Sequence, residues 1–209
     1  WMAIYGLKNT DASRIKKTVP GVKRVLPILN KRLNVVHGRR EVDCQLIGTY
    51  PYYPEFTQSK IIAGQFLNEA EENSKASSCV ISHELAQRLF AGHNPLMETV
   101  EVRGYESSQI FVVKGILEER VDTEKLPQLP DAMGHTIAAN VYIPLSTFKS
   151  LYGVRNVDRS VGRLKLESVE LSEIRVEFDS VEDVIPSLPL LVEALQTGRS
   201  ERDFEIVVP

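Results

Sequence analysis

The sequence predicts an α+β fold in which a discontinuous domain, built from both ends of the chain, carries an inserted second subdomain. Two observations predict it. Each end of the chain has a helical pattern that leads into an apolar run, and the middle alternates short apolar runs with turn residues, as hairpins do. The composition is that of a globular protein, with 43% hydrophobic and 25% charged residues among 209. We therefore expect one subdomain from residues 1–57 plus 151–209 and an inserted mixed α/β subdomain from 58–150.

The first part of the chain predicts a short helix, an edge strand and a hairpin. Thr10 followed by Asp11 is expected to cap the helix, and Pro20-Gly21 ends it. Val22 to Leu29 is rich in branched aliphatic residues, but Pro27 cannot donate to a ladder and places this strand at an edge or a bulge. The stretch from Leu33 to Gly48 alternates around a central Gly-Arg turn, so we expect a hairpin there.

The central part predicts an amphipathic helix among strands. Ser82 caps a helix whose apolar residues recur at helical spacing on one face. The acidic stretch from Glu69 to Lys75 predicts a solvated loop, because its carboxylates lack the glycine-turn spacing of a calcium loop. Further strands and one short helix are expected at these ranges: Ser78 to Ile81, Thr99 to Arg103, Gln109 to Leu117, Val141 to Pro144 and, as the helix, Ser146 to Tyr152.

The last part of the chain predicts a strand, a helix and a second strand. Glu173 to Phe178 alternates cleanly, and the helix that follows ends at Gly198, with Pro186 and Pro189 able to delay its regular part. Asp203 to Val208 again has the pattern of a strand. This order predicts a β-α-β unit, whose parallel strands require a sheet with helices packed on it.

Two segments are candidate contact surfaces. The aromatic segment from Tyr50 to Phe56 contains three tyrosines, two prolines and a phenylalanine; it either covers the end of a sheet, which we favour, or forms a binding platform. The stretch from Val121 to Thr136 has prolines, a glycine and no period, so we expect a long loop. Loops of that length are usually functional or mobile.

Most catalytic and cofactor chemistry lacks a sequence motif. Neither a glycine-rich phosphate loop nor a G-x-S-x-G nucleophile turn occurs. The histidines are scattered and make no i, i+4 pair for zinc: His37, His83, His93 and His135. With a net charge of −3, the chain also lacks the basic surface that nucleic-acid binding requires. We predict no catalytic, cofactor-binding or metal-binding residue and no nucleic-acid partner.

The cysteines and the chain ends add two expectations. Cys44 and Cys79 lie in apolar strand-like runs without metal spacing, and we favour buried thiols over a disulfide between them. No apolar run approaches the roughly 20 residues that cross a bilayer. The chain opens on Trp1 and stops at Pro209, directly after an apolar run, so we expect a fragment of a longer protein with membrane spans outside it.

Short motifs in a fixed order resemble the MacB-type periplasmic core domain, the extracytoplasmic module between the first two membrane helices of certain ABC transporter permeases. The matching residues run through most of the chain: Leu7, Asp11 and Ile15; Pro20-Gly21-Val22 through Pro27; Gly48-Thr49 with Pro51 and Tyr52; Gly64-Gln65-Phe66; Val80; Leu89-Phe90; Asn94-Pro95-Leu96; Phe111 to Leu117; Val141 to Pro144; and Asp203-Phe204. The chain departs from the pattern at Gln65, where arginine is usual, and at Met97, where glycine is usual. Because glycine there would permit a positive φ, we expect a changed turn after Pro95.

The resemblance implies a porter-like subdomain formed from both chain ends, with a hairpin-rich second subdomain inserted in it. It also implies a non-catalytic domain on the periplasmic side of the cell membrane, which moves as ATP is hydrolysed by a cytoplasmic subunit or domain and so drives export of a peptide, drug or lipoprotein. The implied partners are a second permease subunit, that ATPase and a periplasmic adaptor protein. Two alternatives remain open: a free-standing extracytoplasmic module that binds a ligand on the aromatic segment, and an enzyme with a dispersed site.

Overall fold

The computed structural model describes residues 3–4, 6–104, 108–119, 139–153, 155–160, 163–168, 170–199 and 203–208. The helices are α1 (Asn9–Thr18), α2 (Tyr53–Thr57), α3 (Glu69–Ser74), α4 (His83–Phe90), α5 (Leu145–Tyr152) and α6 (Val184–Gln196). The strands are β1 (Ala3–Ile4), β2 (Val22–His37), β3 (Arg40–Thr49), β4 (Lys60–Gly64), β5 (Ser78–Ser82), β6 (Thr99–Arg103), β7 (Ser108–Glu118), β8 (Asn140–Pro144), β9 (Arg155–Ser160), β10 (Arg163–Ser168) and β11 (Glu173–Phe178).

The chain divides into two compact units. Unit 1 comprises Trp1–Leu29 with Leu151–Pro209, and unit 2 comprises Asn30–Ser150. The first boundary between unit 1 and unit 2 therefore lies after residue 29. The sequence predicted this boundary after residue 57. The reason is that β2 continues without a break from Val22 to His37, and its second half pairs with β6 in unit 2, with Asn34 opposite Arg103.

Unit 2 is built on a closed ring of six strands. In order around the ring, β2 neighbours β3, β3 pairs with β8, β8 with β5, β5 with β7, β7 with β6, and β6 with β2 again. Closure leaves these six strands without the exposed edges that promote aggregation. Each strand contributes a fully buried apolar residue to the core: Val35, Leu46, Val141, Ile81, Val113 and Val102.

The amphipathic helix α4 confirms the helical spacing read from the sequence. Ser82 is its N-cap, and its Oγ accepts a hydrogen bond from the Leu85 backbone N–H at 3.3 Å. The residues of its apolar stripe are all buried: Leu85, Ala86, Leu89 and Phe90. The predicted hairpins β2–β3 and β6–β7 are also present, with β6 and β7 in register from Thr99 opposite Val112.

Unit 1 combines a two-stranded ladder with a pair of packed helices. The first half of β2 pairs antiparallel with β11, with Val25 opposite Val176. Pro27 lies in this half, opposite Ile174 of β11. In the sheet order β2 lies between β11 and β3, so the strand does not take the edge position predicted from the missing N–H of Pro27. Helix α1 packs against α6. A separate small sheet joins β1, β10 and β9, in which β10 pairs antiparallel with β9 and parallel with β1.

The predicted C-terminal β-α-β unit is wrong. Residues 203–208 form no strand, although their side chains alternate. Alternation indicates which face of a segment is apolar, but a strand also needs a neighbour with free backbone groups at the right distance. Helix α6 begins at Val184, after a 3₁₀ turn (Val181–Asp183), and continues through Pro189, so the two prolines do not delay its regular part until after Pro189.

The acidic stretch predicted as a solvated loop is helix α3. Its N-terminus has a capping box, in which the Asn68 Oδ1 accepts from the Glu71 backbone N–H at 3.0 Å and the Glu71 carboxylate accepts from the Asn68 N–H at 2.9 Å. The helix buries none of its residues and is held by polar contacts instead. Glu71 pairs with Lys114 at 2.6 Å, and the Ser146 backbone N–H donates to Glu72 at 3.1 Å. The sequence pattern predicted no helix here, because hydrophobic periodicity detects a helix only when one of its faces is apolar and buried.

The turn after Pro95 keeps a glycine-like conformation although Met97 occupies it. Met97 has φ +68°, its N–H donates to the Val113 carbonyl at 2.7 Å, and its side chain is exposed. The predicted change of the turn is therefore wrong. The hydrogen bond to β7 and the adjoining β6–β7 ladder fix the backbone, so methionine accepts the left-handed conformation at a cost in free energy.

Replacing Met97 with glycine is expected to raise the free energy of unfolding by about 0.5 kcal/mol. Removal of a left-handed non-glycine residue gains about 1–2 kcal/mol, and the greater freedom of glycine in the unfolded chain takes back about 0.5–1 kcal/mol. Urea unfolding of the two proteins measures the difference. Met97→Ala is the control, because alanine has the same φ penalty. An equal gain from Met97→Ala would show that the exposed side chain, and not the backbone, is responsible.

Candidate functional site

A cluster of charged side chains in unit 1 joins the beginning of the described chain to its end. We call Gly6, Asp11, Arg199 and Asp203 the chain-end junction. The Gly6 backbone N–H donates to the Asp203 Oδ2 at 2.6 Å, and the Arg199 Nη2 donates to the Gly6 carbonyl at 2.7 Å. Residues 197 positions apart in sequence are thus in direct contact.

Arg199 is the centre of this junction. Its Nη2 lies 2.5 Å from the Asp11 Oδ2, its Nε lies 2.8 Å from the Asp203 Oδ1, and its Nη1 donates to the Leu195 carbonyl. The side chains of Arg199 and Asp11 are only 5% and 2% exposed. The hydrogen bond to Asp11 raises the pKa of the Arg199 guanidinium above its ordinary value. Charges buried this deeply need each other, since an unpaired buried charge is strongly unfavourable.

Helix α1 is joined to the junction through Asp11, whose carboxylate makes two further contacts. Its carboxylate accepts from the Lys8 backbone N–H at 2.7 Å, which satisfies one of the free donors at the start of α1. Arg14, one turn later, lies 3.3 Å from Asp11 and donates to the Ala194 carbonyl at 2.7 Å, near the end of α6. Two helices and two terminal segments are therefore joined by one set of hydrogen bonds.

The sequence did not identify this junction. Asp11 has the features of a helix-start residue and belongs to the first motif of the resemblance, whereas Arg199 is one of 25 lysines and arginines and belongs to no motif. No motif joins the two residues, which are 188 positions apart. The one signal in the sequence was an acidic residue, Asp11, next to the apolar positions of α1. Local spacing does not indicate that its partner is Arg199.

The aromatic segment divides into a buried and a half-buried part. Tyr53 is buried in α2 and contacts the rings of Phe66 and Tyr142, with centroid distances of 6.1 and 5.2 Å. This part packs against the sheet through Tyr142 of β8. Tyr50 and Tyr52 are half-buried and stack on each other, with ring centroids 5.7 Å apart.

A polar network lies beneath the aromatic segment. Glu119 accepts hydrogen bonds from the Tyr142 hydroxyl, from the Asn140 Nδ2 at 2.9 Å and from the Tyr53 hydroxyl at 3.4 Å. Burial raises the pKa of Tyr142 well above its ordinary value, which keeps its hydroxyl protonated and able to donate. Glu119 and Asn140 flank residues 120–138. The predicted contact loop, Val121 to Thr136, lies outside the described residues.

Cys44 and Cys79 are both buried as free thiols, in β3 and β5. Burial raises the pKa of Cys44 to about 12 and also raises that of Cys79. Both thiols are therefore protonated and unreactive at neutral pH. Over the described ranges, no three His, Cys, Asp or Glu side chains come together in a way that would hold a metal ion. In that same part of the chain, no helix is long and apolar enough to cross a membrane.

Solved structures share this fold. The extracellular domain of the noncanonical ABC-type transporter YknZ from Gram-positive bacteria superposes with a TM-score of 0.68 at 19% identity, covering 94% of this chain and 86% of that one. The periplasmic region of MacB from Actinobacillus actinomycetemcomitans gives a TM-score of 0.67 at 20% identity, covering 95% and 77%. These similarities establish a mixed α/β fold of the kind found in both domains.

Two sequence relatives extend the comparison. The macrolide export ATP-binding/permease protein MacB of Syntrophobacter fumaroxidans is 29% identical over 116 residues, which is 55% of this chain. The pyoverdine export ATP-binding/permease protein PvdT of Pseudomonas aeruginosa is 24% identical over 206 residues, or 98% of this chain. The matches span only 16% and 27% of those relatives, which are much longer proteins.

The family assignment rests on a match over nearly the entire sequence. Residues 3–196 match the family described as the MacB-like periplasmic core domain. The match runs through both units and stops just before Arg199. The chain therefore belongs to the MacB-like periplasmic core domain family.

Proposed function

We propose that this chain is the extracytoplasmic, non-catalytic domain of an ABC transporter permease. It transmits the conformational change that accompanies ATP hydrolysis, in a cytoplasmic subunit or domain, to the export of a substrate. The observation that carries the proposal, given the family, is the chain-end junction, because it brings together the segments through which a domain between two membrane helices would be attached. A body held in this way moves as a lever when its attachments move.

The partners follow from this role. A second permease subunit pairs with the first through the membrane part, the ATPase supplies the motion, and a periplasmic adaptor receives the substrate. Unit 1 is the subdomain that is attached, and unit 2 is the inserted subdomain. The two relatives are named for export of a macrolide and of pyoverdine. For this chain we propose the broader class of peptides, hydrophobic drugs and lipoproteins. Membership of this family supports the permease function over a free-standing ligand-binding module.

Distance measurement between two copies of the domain tests the lever. Lys16, exposed on α1, is replaced by cysteine in the full-length permease and spin-labelled. The native cysteines stay in place, since burial protects their thiols from the label. We expect the distance between the two labels of a transporter dimer in lipid discs to differ by several ångströms between the nucleotide-free and the ATP-bound state.

The control is the same labelled permease with an ATPase that cannot bind nucleotide, for which the distance should stay fixed on addition of ATP. Ser13→Cys, on the same helix, provides a second label that should report the same direction of change. If both labels give identical distance distributions in the two nucleotide states while the substrate is exported, the domain does not act as a lever.

A further inference from the structure

The outward face of α6 exposes a contiguous group of apolar side chains. Val181, Ile185 and Leu190 are 84%, 63% and 41% exposed, and Pro186 and Pro189 are exposed beside them. Val181, Ile185 and Pro189 follow each other at intervals of four, so they line up along one side of the helix and the 3₁₀ turn before it. We call these five residues the α6 face. Single exposed apolar residues are common, but a contiguous patch of them usually marks an interaction site.

Packing within unit 1 does not require the α6 face. The opposite side of the helix is the one that is buried, through Ser187, Leu191, Ala194 and Leu195, and α1 packs against this helix. A helix that has buried one apolar stripe is expected to be polar on the other side. On α6, isoleucine, leucine and proline occupy the outward positions where polar residues are expected.

The charged side chains that the α6 segment itself carries have one sign, whereas Arg14 and Arg199 donate to carbonyls on its buried side, at Ala194 and Leu195. Residues 179–198 include four carboxylates and no lysine or arginine: Asp179, Glu182, Asp183 and Glu193. All four are exposed. The Ser180 hydroxyl donates to Glu182 and lowers the pKa of that carboxyl, which keeps it ionised. An apolar centre with a charged rim is the usual anatomy of a protein–protein contact.

We infer that the α6 face is a docking surface for a partner protein that presents an apolar groove flanked by lysine or arginine. A second copy of this chain would bring acidic rim against acidic rim, which costs free energy. An anionic lipid surface would also repel the four carboxylates. The partner chemistry that complements both the apolar centre and the rim is therefore a basic-rimmed groove.

The two prolines favour docking in a second way. Pro186 and Pro189 fix their own φ angles, and the helix is already formed before a partner arrives. Little backbone freedom is then lost on association, so more of the contact energy appears as affinity. Anchors at intervals of four on a preformed helix are typical of a helix that lies in an apolar groove.

Photo-crosslinking in cells tests the inference. Ile185 is replaced by benzoylphenylalanine in the full-length transporter, in its own host, and crosslinked peptides are identified by mass spectrometry. We expect a product with a different polypeptide, attached within a segment that carries apolar residues next to lysine or arginine. The yield should fall about tenfold in the charge reversal Glu182→Lys/Glu193→Lys, and it should fall in high salt, because both weaken the ionic rim.

The experiment has two controls, a crosslinker at a second exposed position and a check that the charge-reversed variant is folded. The same crosslinker at Lys16, exposed on α1, sets the background yield. The inference is overturned by a yield at Ile185 no higher than at Lys16, by products only with a second copy or with lipid, by an acidic partner segment, or by a yield that the charge reversal leaves unchanged. Glu182 and Glu193 are both exposed, so the reversal leaves the fold intact, which an unchanged thermal midpoint verifies.

Discussion

Arg199→Met lowers the free energy of unfolding by about 3–5 kcal/mol, the range expected when one partner of a buried ion pair is removed. Asp11 is then left buried with only Arg14, 3.3 Å away and partly exposed, to balance its charge. The Gly6 carbonyl and the Leu195 carbonyl also lose a donor. Urea unfolding followed by circular dichroism measures the loss, and we expect it in the transition of the unit that holds the junction.

The matched control is Arg103→Met, at the surface of unit 2. Arg103 also pairs with two carboxylates, at 3.0 Å to Glu101 and 3.5 Å to Glu41, but its side chain is about half exposed. Exposed pairs of this kind are screened by solvent and contribute little, so the control should leave the free energy of unfolding almost unchanged. A loss of similar size in the two variants would mean that the Arg199 junction is no more than a surface contact.

A second variant separates the loss of the pair from the loss of packing. Asp11→Asn combined with Arg199→Met removes the buried charge that the single change leaves uncompensated, and asparagine can still accept from the Lys8 N–H. The double variant should therefore be more stable than Arg199→Met alone. The single variants Asp11→Asn and Arg199→Met are measured beside it. If the double variant loses as much free energy of unfolding, relative to the unmutated protein, as the two single variants lose together, the charges act independently and the junction is not a coupled unit.

Sequence reasoning succeeded where structure follows from local periodicity. Helix α4 was placed by its cap at Ser82 and its apolar stripe, and the hairpins β2–β3 and β6–β7 by alternation and turn residues. Helix α3 and strand β4 were not predicted, each for its own reason. One is held by contacts of Glu71 and Glu72 with distant residues, and the other is a five-residue strand that has its register interrupted by a bulge after Ile61.

The site was less accessible than the fold, because its residues are joined only by long-range contacts. Nothing in local spacing connects Asp11 with Arg199, or tells that residues 203–208 place Asp203 beside Gly6 instead of extending a sheet. The aromatic segment was found by composition, but its division into a buried Tyr53 and a half-buried Tyr50–Tyr52 stack depends on Phe66 and Tyr142 from other elements. Composition locates such a segment, and tertiary contacts decide its role.

The close approach of β4 and β7 leads to the second large effect. Gly64 lies opposite Gly115 across these strands, and a Cβ added at Gly64 would lie 2.1 Å from the Lys114 carbonyl oxygen. Gly64 also has φ +68°. Because the obstacle is backbone, it cannot move aside as a side chain could. Gly64→Ala should lower the free energy of unfolding by about 2.5 kcal/mol, from roughly 0.5 for the left-handed φ, net of the greater freedom of glycine in the unfolded chain, and roughly 2 for overpacking.

Two other glycines allow these contributions to be measured separately by urea unfolding. Gly92 has φ +88° with open space around it, so Gly92→Ala isolates the net conformational cost, about 0.5 kcal/mol. Gly115 is not left-handed, but its Cβ would lie 2.3 Å from the Gln65 carbonyl oxygen, so Gly115→Ala isolates the overpacking, about 2 kcal/mol. The Gly64 loss should equal roughly their sum. A Gly64→Ala loss no larger than that of Gly92→Ala would mean that β4 can move away from β7, and that the Gly64-Gln65-Phe66 motif does not hold the strands at this distance.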